Sequence, residues 1–302
     1  STESMDDADS HLVELIVLAY QTTITDFMNA AAERTKHPST SVTEGMLVQR
    51  AAEFVQRAVA VYSGLISYQD ILHAQIRQNV DKINKYGSQL LTLNDQIRAI
   101  ESGGIEHAND LRDARNQILD ELSELTNMTF SEDRYGSVSV QIEGVEFVKD
   151  GTCYEVALKT DEATGFYTPF WPQDVTYTVR ADGTRDYNID GAEVFDLSVE
   201  ISSDLNTDIG GLKAMLLARG DHRANYTDLA EGKYDSVSQS VVMNIQGEFD
   251  QMIHNVVTKV NDILAKAAGV QTGDLELADG TKLENARYCT VDPDGYMRME
   301  DG

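Results

Sequence analysis

The residues best spaced for chemistry lie between positions 186 and 191. Asp186, Asn188 and Asp190 occupy alternate positions and Gly191 follows them. This is the order of the first half of a calcium loop, in which side-chain oxygens bind the ion and glycine permits the sharp turn. The twelfth position requires a bidentate glutamate, and Leu197 stands there. We therefore interpret the segment as an acidic β-turn and predict no metal site, with calcium binding as the alternative.

Sequence patterns of catalysis and of cofactor binding are missing. The six histidines show no metal-binding i, i+4 spacing, and none neighbours a cysteine. There is no G-x-S-x-G nucleophile elbow, no G-x-G-x-x-G and no P-loop. With 51 acidic residues, carboxylate pairs arise by chance. We predict no catalytic residue, no cofactor and no enzyme activity; a calcium-dependent enzyme with its site in the β-rich segment is a rival interpretation.

Aromatic residues concentrate in one short segment. The sequence Phe166-Tyr-Thr-Pro-Phe-Trp-Pro172 contains four aromatic side chains. A buried core of a small β module is the preferred interpretation, because aromatic residues are sparse elsewhere in the chain. An exposed contact patch is the alternative.

Composition limits the classes of function. The chain has 302 residues, 41% of them hydrophobic, and a formal net charge of −27. Such acidity repels nucleic-acid phosphates and anionic lipids, so neither nucleic acid nor membrane is an expected partner. No apolar run approaches the ~18 residues of a membrane span, and no secretory signal is visible at the start. Two cysteines, Cys153 and Cys289, are too few for a disulfide framework or a zinc site.

Long helices dominate the first half of the chain. Pro38 and the capping-box spacing of Ser41 and Glu44 predict that a helix begins at Ser41. No proline follows before Glu101, and a helix of that length reaches roughly 90 Å. The other predicted helices cover residues 5–36, 107–127, 212–218 and 235–268.

The second half of the long helix has a coiled-coil pattern, because its apolar or tolerated residues recur at steps of four and three. They are Leu72, Ile76, Asn79, Ile83, Tyr86, Leu90, Leu93, Ile97 and Ile100. We expect this seam to be the core of an intramolecular bundle, with self-association of the seam as the alternative. The residues predicted to form structural core rather than a site are Leu90, Leu93, Ile97, Leu111, Ile118 and Leu122.

Strand patterns appear where the helical period stops. Val138, Val140 and Ile142 alternate with polar residues before Gly144, which predicts a hairpin. Turn signals between residues 128 and 203 indicate six or seven short antiparallel strands. Residues 271–302 have the pattern of the start of another β module.

The predicted fold class is α+β. It is an elongated antiparallel helical bundle with an inserted small antiparallel β module and the start of a second β module at the C-terminus. The predicted domains are residues 1–127 (bundle, N-terminal part), 128–208 (inserted β module), 209–269 (bundle, C-terminal part) and 270–302 (second β-rich domain).

Several segments resemble one family. They are Asp26-Phe27-Met28-Asn29-Ala30, Ile83-Asn84, Leu93-Asn94-Asp95-Gln96-Ile97, Asn109-Asp110-Leu111-Arg112-Asp113-Ala114-Arg115, Ile118-Leu119-Asp120-Glu121-Leu122-Ser123, Gly136-Ser137-Val138, Gly144, Gly210-Gly211-Leu212-Lys213 and Asn261. Together they resemble the bacterial flagellar hook-associated protein 1 family, the hook–filament junction proteins. Asn116 departs from the aspartate usual in that family, and residues 231–239 diverge. The resemblance covers about residues 10–268 and lacks the family's terminal polymerisation helices.

The resemblance implies a flagellin-like fold and a structural role joining hook and filament, outside the cell after export by the flagellar type III system. The implied partners are copies of the chain itself, hook protein, the second hook-associated protein and an export chaperone. Without the terminal helices, we expect this chain to be monomeric. The alternatives are another axial protein, such as flagellin or the second hook-associated protein, and a coiled-coil interaction module.

Overall fold

A computed structural model describes residues 21–37, 40–102, 107–198, 209–230, 239–267, 271–276, 282–288, 290–291 and 297–298. The chain divides into two compact units, one formed by Ser1–Leu65 with Gly247–Gly302 and the other by Ile66–Gln246. The four-domain division drawn from the sequence stays a prediction.

Five α-helices lie in the described residues. They are α1 (described over residues 21–36), α2 (Ser41–Glu101), α3 (Asn109–Leu125), α4 (Gly211–Arg219) and α5 (Val241–Ala267). The predicted long helix is confirmed with the predicted bounds, and the short helix predicted over residues 212–218 is confirmed as α4. The predicted start of the first helix lies outside the described residues.

The cap of α2 and the start of α5 differ from the prediction. In α2, the Glu44 N–H bonds to the Thr40 carbonyl, so Ser41 lies inside the first turn and is not the N-cap of a capping box. In α5, Ser240 is the N-cap, because its hydroxyl accepts from the Met243 N–H at 3.3 Å. The fourth long helix therefore begins at Val241 and not at residue 235; residues 235–238 lie outside the described part of the chain.

The β-rich segment contains an antiparallel sheet and two hairpins. The sheet has the order β1–β2–β3–β4. Its strands are β1 (Met128–Glu132), β2 (Val138–Ile142), β3 (Val145–Lys149) and β4 (Thr152–Cys153); the hairpins are β5 (Ala157–Thr160) with β6 (Tyr167–Phe170) and β7 (Thr176–Val179) with β8 (Arg185–Asn188). The described part of this segment thus contains eight strands where six or seven were predicted, because a two-residue strand such as β4 is too short to show alternation.

The C-terminal β segment is confirmed. It contains β9 (Gln271–Glu276), β10 (Lys282–Tyr288), β11 (Thr290–Val291) and β12 (Met297–Arg298). β9 pairs with β10, and β11 pairs with β12, both antiparallel.

The seam of α2 is buried within one chain, as expected, but its partner is largely a sheet and not another helix. Ile76, Ile83 and Leu90 share one hydrophobic cluster with Val140 and Phe147 of the sheet. Burying a strand face and a helix stripe against each other is the usual way to form a core in an α+β unit. Ile100 is 42% exposed, so the seam ends before it.

Of the six predicted core residues, three are fully buried and three are half-buried. Leu90, Ile97 and Leu122 are buried, whereas Leu93, Leu111 and Ile118 keep partial exposure. On α3 the buried residues are Arg115, Leu119 and Leu122, so the true core face is turned toward Leu119 from the predicted one.

α3 runs antiparallel to α2, as expected for the predicted antiparallel bundle. Arg112 near the start of α3 pairs with Glu101 at the end of α2, while Glu121 near the end of α3 accepts from the Tyr86 hydroxyl. Residue numbers thus rise along one helix as they fall along the other.

Gly87 lets α2 approach the sheet closely. A Cβ added there would overlap Cys153 Sγ and lie 2.7 Å from Phe147 Cζ. Burial raises the pKa of the Cys153 thiol to about 11. This contact holds α2 at Gly87 against β3 and β4.

The core of the other unit joins α1, the first part of α2 and α5. Its buried members are Phe27, Ala31, Phe54, Phe249 and Val260. The rings of Phe27 and Phe54 stack with centroids 5.2 Å apart.

Candidate interaction surface

One apolar stripe on α2 is exposed to solvent. Val48, Ala52, Val55, Val59 and Tyr62 follow one another at steps of four, three, four and three, which places them on one line along the helix. The four larger side chains are between 36% and 64% exposed. We call these five residues the α2 stripe.

The α2 stripe lies beside the buried face of the same helix. Leu47, Ala51, Phe54, Ala58 and Val61 pack in the core of this unit and repeat with the same steps, one residue earlier. A shift of one residue turns the helix surface by about 100°. The apolar surface of α2 is therefore wider than the part of the helix that packs in the core of its unit.

The α2 stripe is also free of charge. Between Gly45 and Leu65 the charged residues are Arg50, Glu53 and Arg57. At about 100° per residue, all three lie on the opposite side of α2 from Val55 and Val59. In a chain that is 25% charged, this is the depletion typical of the centre of a protein interface.

The α2 stripe was not predicted from the sequence, because apolar periodicity in this helix was assigned only from Leu72 onward. The available signal was the doubled heptad, in which apolar residues occupy both 47, 54, 61 and 48, 55, 62. One heptad series of apolar residues is enough to pack in the core of the unit. A second series on the same helix therefore predicts a second contact surface.

The structure does not gather the calcium-like loop into a cage. Asp186 lies in β8, where its carboxylate pairs with Arg180 at 3.1 Å and with Lys159 at 3.5 Å. Asn188 accepts the Asp190 N–H, as in an Asx turn, and Leu197 packs on the core. Within the described residues, no three His, Cys, Asp or Glu side chains are grouped to hold a metal ion. That the chain needs no metal stays a prediction.

The aromatic segment forms core, as the preferred interpretation predicted. Phe166, Phe170 and Trp171 are buried, and Trp171 belongs to the cluster that contains Phe147. Tyr167 is half-buried, and its ring stacks on His73 with centroids 4.0 Å apart. Burial lowers the pKa of His73, so this histidine is favoured in its neutral form.

Arg219 joins this aromatic cluster from α4. It is 3% exposed, its guanidinium lies 4.8 Å from the Phe166 ring centroid, and it donates to the Tyr167 carbonyl at 3.0 Å. Burial lowers its pKa to about 10. Since it holds backbone and ring together, we assign it a structural role.

A charged network joins the end of α2 and the first turns of α3 to β1. Arg112 donates to Glu101 and to Glu132, each at 2.6 Å. Arg115, buried, donates to Glu132 at 3.0 Å and to the Gly136 carbonyl at 2.5 Å. The Arg112 hydrogen bonds lower the pKa of Glu101 to about 2.

None of the helices in the described residues combines the length and the apolar character needed to cross a lipid bilayer.

A family comparison identifies the origin of these helices. Residues 19–276 match the family model described as the flagellar hook-associated protein FlgK helical domain. The chain belongs to the FlgK family. The resemblance inferred from the short segments between residues 26 and 261 is thereby confirmed.

The fold of this FlgK-family chain agrees with a solved structure. It superposes on the flagellar hook junction protein FlgK from Burkholderia pseudomallei with a TM-score of 0.52 and 19% identity. The match covers 70% of this chain and 35% of the Burkholderia chain, so this chain spans about a third of that protein. At this identity the likeness shows a shared fold. No curated protein matches the chain.

Proposed function

We propose that this FlgK-family chain is part of a structural component of the bacterial flagellum that joins hook to filament, and that the α2 stripe contacts a neighbouring axial subunit. The observation that carries the contact is an exposed, uncharged heptad series on a helix whose other apolar face is already buried. Membership of the FlgK family supports the flagellar role.

The finer parts of the proposal follow from that role. The parent protein is exported by the flagellar type III system, lies outside the cell and performs no catalysis. Its neighbours are copies of itself, hook protein and the second hook-associated protein, and an export chaperone accompanies it before assembly.

This chain alone is a monomer in dilute solution. The α2 stripe has only five residues, and two copies with a net charge of −27 each repel one another. A face of that size becomes a stable contact when other parts of an assembly hold the subunits in register.

The test places one negative charge inside the α2 stripe and one beside it. Val59→Asp buries a carboxylate in the proposed contact, whereas Ala60→Asp, the matched control, adds the same charge about 100° around the helix. The parent protein with either change is expressed in place of the natural one, and hooks with and without filaments are counted by electron microscopy.

We expect Val59→Asp to leave most hooks without filaments and Ala60→Asp to assemble normally. Circular dichroism and thermal unfolding of both purified variants establish that each is folded. Normal assembly by a folded Val59→Asp protein would remove the α2 stripe from the proposal, and full motility of cells lacking the parent protein would remove the flagellar role.

A further inference from the structure

Within the part of the chain that the structure describes, no strand pairs with the outer edge of β1, the first strand of the sheet. β1 is an edge strand of the four-stranded sheet, and all of it after Met128 is exposed. The Asn127 carbonyl and the Asp133 N–H both bond toward the β2 side of the hairpin. Because backbone groups alternate in direction along an antiparallel strand, those of Met128, Phe130 and Glu132 point to the open side.

This edge lacks the features that usually block strand addition. The sequence Met-Thr-Phe-Ser-Glu contains no lysine and no proline, and the β1–β2 register runs without a bulge from Met128 to Glu132. Glu132 is the one charged residue of β1. It is paired with Arg112 and Arg115, so its charge does not block the addition of a strand.

A groove lies between this edge and α3. Its volume is about 520 Å³, and it is lined by Asn116, Leu119, Asp120, Ser123, Met128 and Phe130. Phe130 is 55% exposed although it pairs with the buried Val140 and so shares the core face of the sheet. A strand added to β1 would place every second side chain against Phe130 and α3.

The charge around the groove indicates which kind of segment it can bind. Asp113, Asp120 and Glu124 are exposed along α3. Both arginines of α3 are already engaged, Arg112 with Glu101 and Arg115 with Glu132. A second copy of β1 would bring the same carboxylates face to face, which is unfavourable, whereas a basic segment would neutralise them.

We propose that the open edge of β1 and the groove beside it bind an extended basic segment of a partner protein by strand addition, with apolar side chains next to Phe130 and lysine or arginine next to Asp120. Main-chain hydrogen bonds supply affinity and the alternating side chains supply selectivity. The site uses other residues than the α2 stripe and does not depend on the proposed function.

The probe is a fluorescein-labelled seven-residue peptide of alternating valine and lysine, titrated with the 302-residue chain and followed by fluorescence anisotropy. Its comparison peptides replace lysine by glutamate, or carry N-methyl groups on the residues that would face β1. We expect saturable binding of the lysine peptide, which weakens with added salt, and no binding of the other two.

Three variants locate the site. Phe130→Pro removes the anchor and the outward N–H without touching the β1–β2 ladder, and should weaken binding about tenfold or more. Asp120→Lys should weaken it about three- to tenfold, and the control Glu155→Lys, an exposed residue after β4, should leave it unchanged. Thermal unfolding checks that each variant is folded.

Binding that is equal for the lysine and glutamate peptides, or unaffected by both Phe130→Pro and Asp120→Lys, would overturn the proposal. So would absence of binding by the folded natural chain. Sedimentation showing a dimer that Phe130→Pro converts to monomer would assign the edge to a second copy and likewise overturn it.

Discussion

The side-chain amide of Gln246 donates to Gln69 Oε1 at 3.1 Å, although the two residues are 177 positions apart and both are fully buried. Gln69 in turn donates to the carbonyls of Arg219 and His222, at 2.8 and 2.9 Å. Gln246 also accepts the Ala224 N–H at 3.1 Å. Two glutamines thus join α2 and α5 to the chain that follows α4.

Gln69→Leu should destabilise the unit by about 2–4 kcal/mol. The change keeps the side-chain size but leaves the Arg219 and His222 carbonyls without their donor, and unsatisfied buried groups cost about 1–3 kcal/mol each. Urea unfolding followed by circular dichroism measures the effect. Gln75→Leu, at an exposed position of the same helix, is the control and should change the free energy of unfolding by less than about 0.5 kcal/mol. Equal effects of the two changes would contradict the structural role of the pair.

Two glycines of α2 should respond to alanine with opposite signs. Gly87→Ala drives its Cβ into Cys153 and Phe147 and should cost about 1–3 kcal/mol. Gly64→Ala meets nothing within 4 Å and should stabilise by about 0.5–1 kcal/mol, because alanine favours the helix. Thermal unfolding compares the two proteins. Combining Gly87→Ala with Cys153→Ala should recover part of the loss; no recovery would mean that the thiol is not the obstacle.

Stability should fall in acid partly through Glu101. The folded pKa of Glu101, about 2, lies below its ordinary value of 4.5 because Arg112 and the Ala108 N–H bond to the carboxylate. A depressed folded pKa adds stability that is complete above the unfolded pKa and is lost as pH falls toward about 2. The urea midpoint should therefore drop between pH 6 and pH 2.5, and by less in Glu101→Gln. The control is Glu124→Gln, at an exposed position of α3. It should leave the pH dependence of the urea midpoint as it is in the natural chain.

Periodicity predicted the parts of the fold that repeat. The steps of four and three through Ile76, Ile83 and Leu90 located the buried face of α2, and Gly144 located the β2–β3 turn. The spacing of the seam residues does not show which element packs against them, since an apolar stripe packs equally well on a helix or on a sheet. The sheet partners of α2 were therefore not foreseen.

Long-range polar contacts were also beyond sequence reasoning. Arg115 reads as a surface residue on a charged helix, and only the fold brings Glu132 and the Gly136 carbonyl to it. The buried contacts of Gln69 and Gln246 could not be predicted either, because nothing in the helical sequence around them indicates a buried side-chain amide. The α2 stripe, by contrast, is predictable from the sequence, because the doubled heptad around Val55 is visible in the spacing of its apolar residues.

The half-buried thiol of Cys153 can report local opening between α2 and the sheet. Because partial burial raises its pKa to about 11 and Gly87 packs against the sulfur, we expect alkylating reagents to react with it faster when α2 lifts from β3 and β4. In a chain with Cys289→Ser, the labelling rate under pulling or dilute denaturant therefore counts how often this contact opens under load.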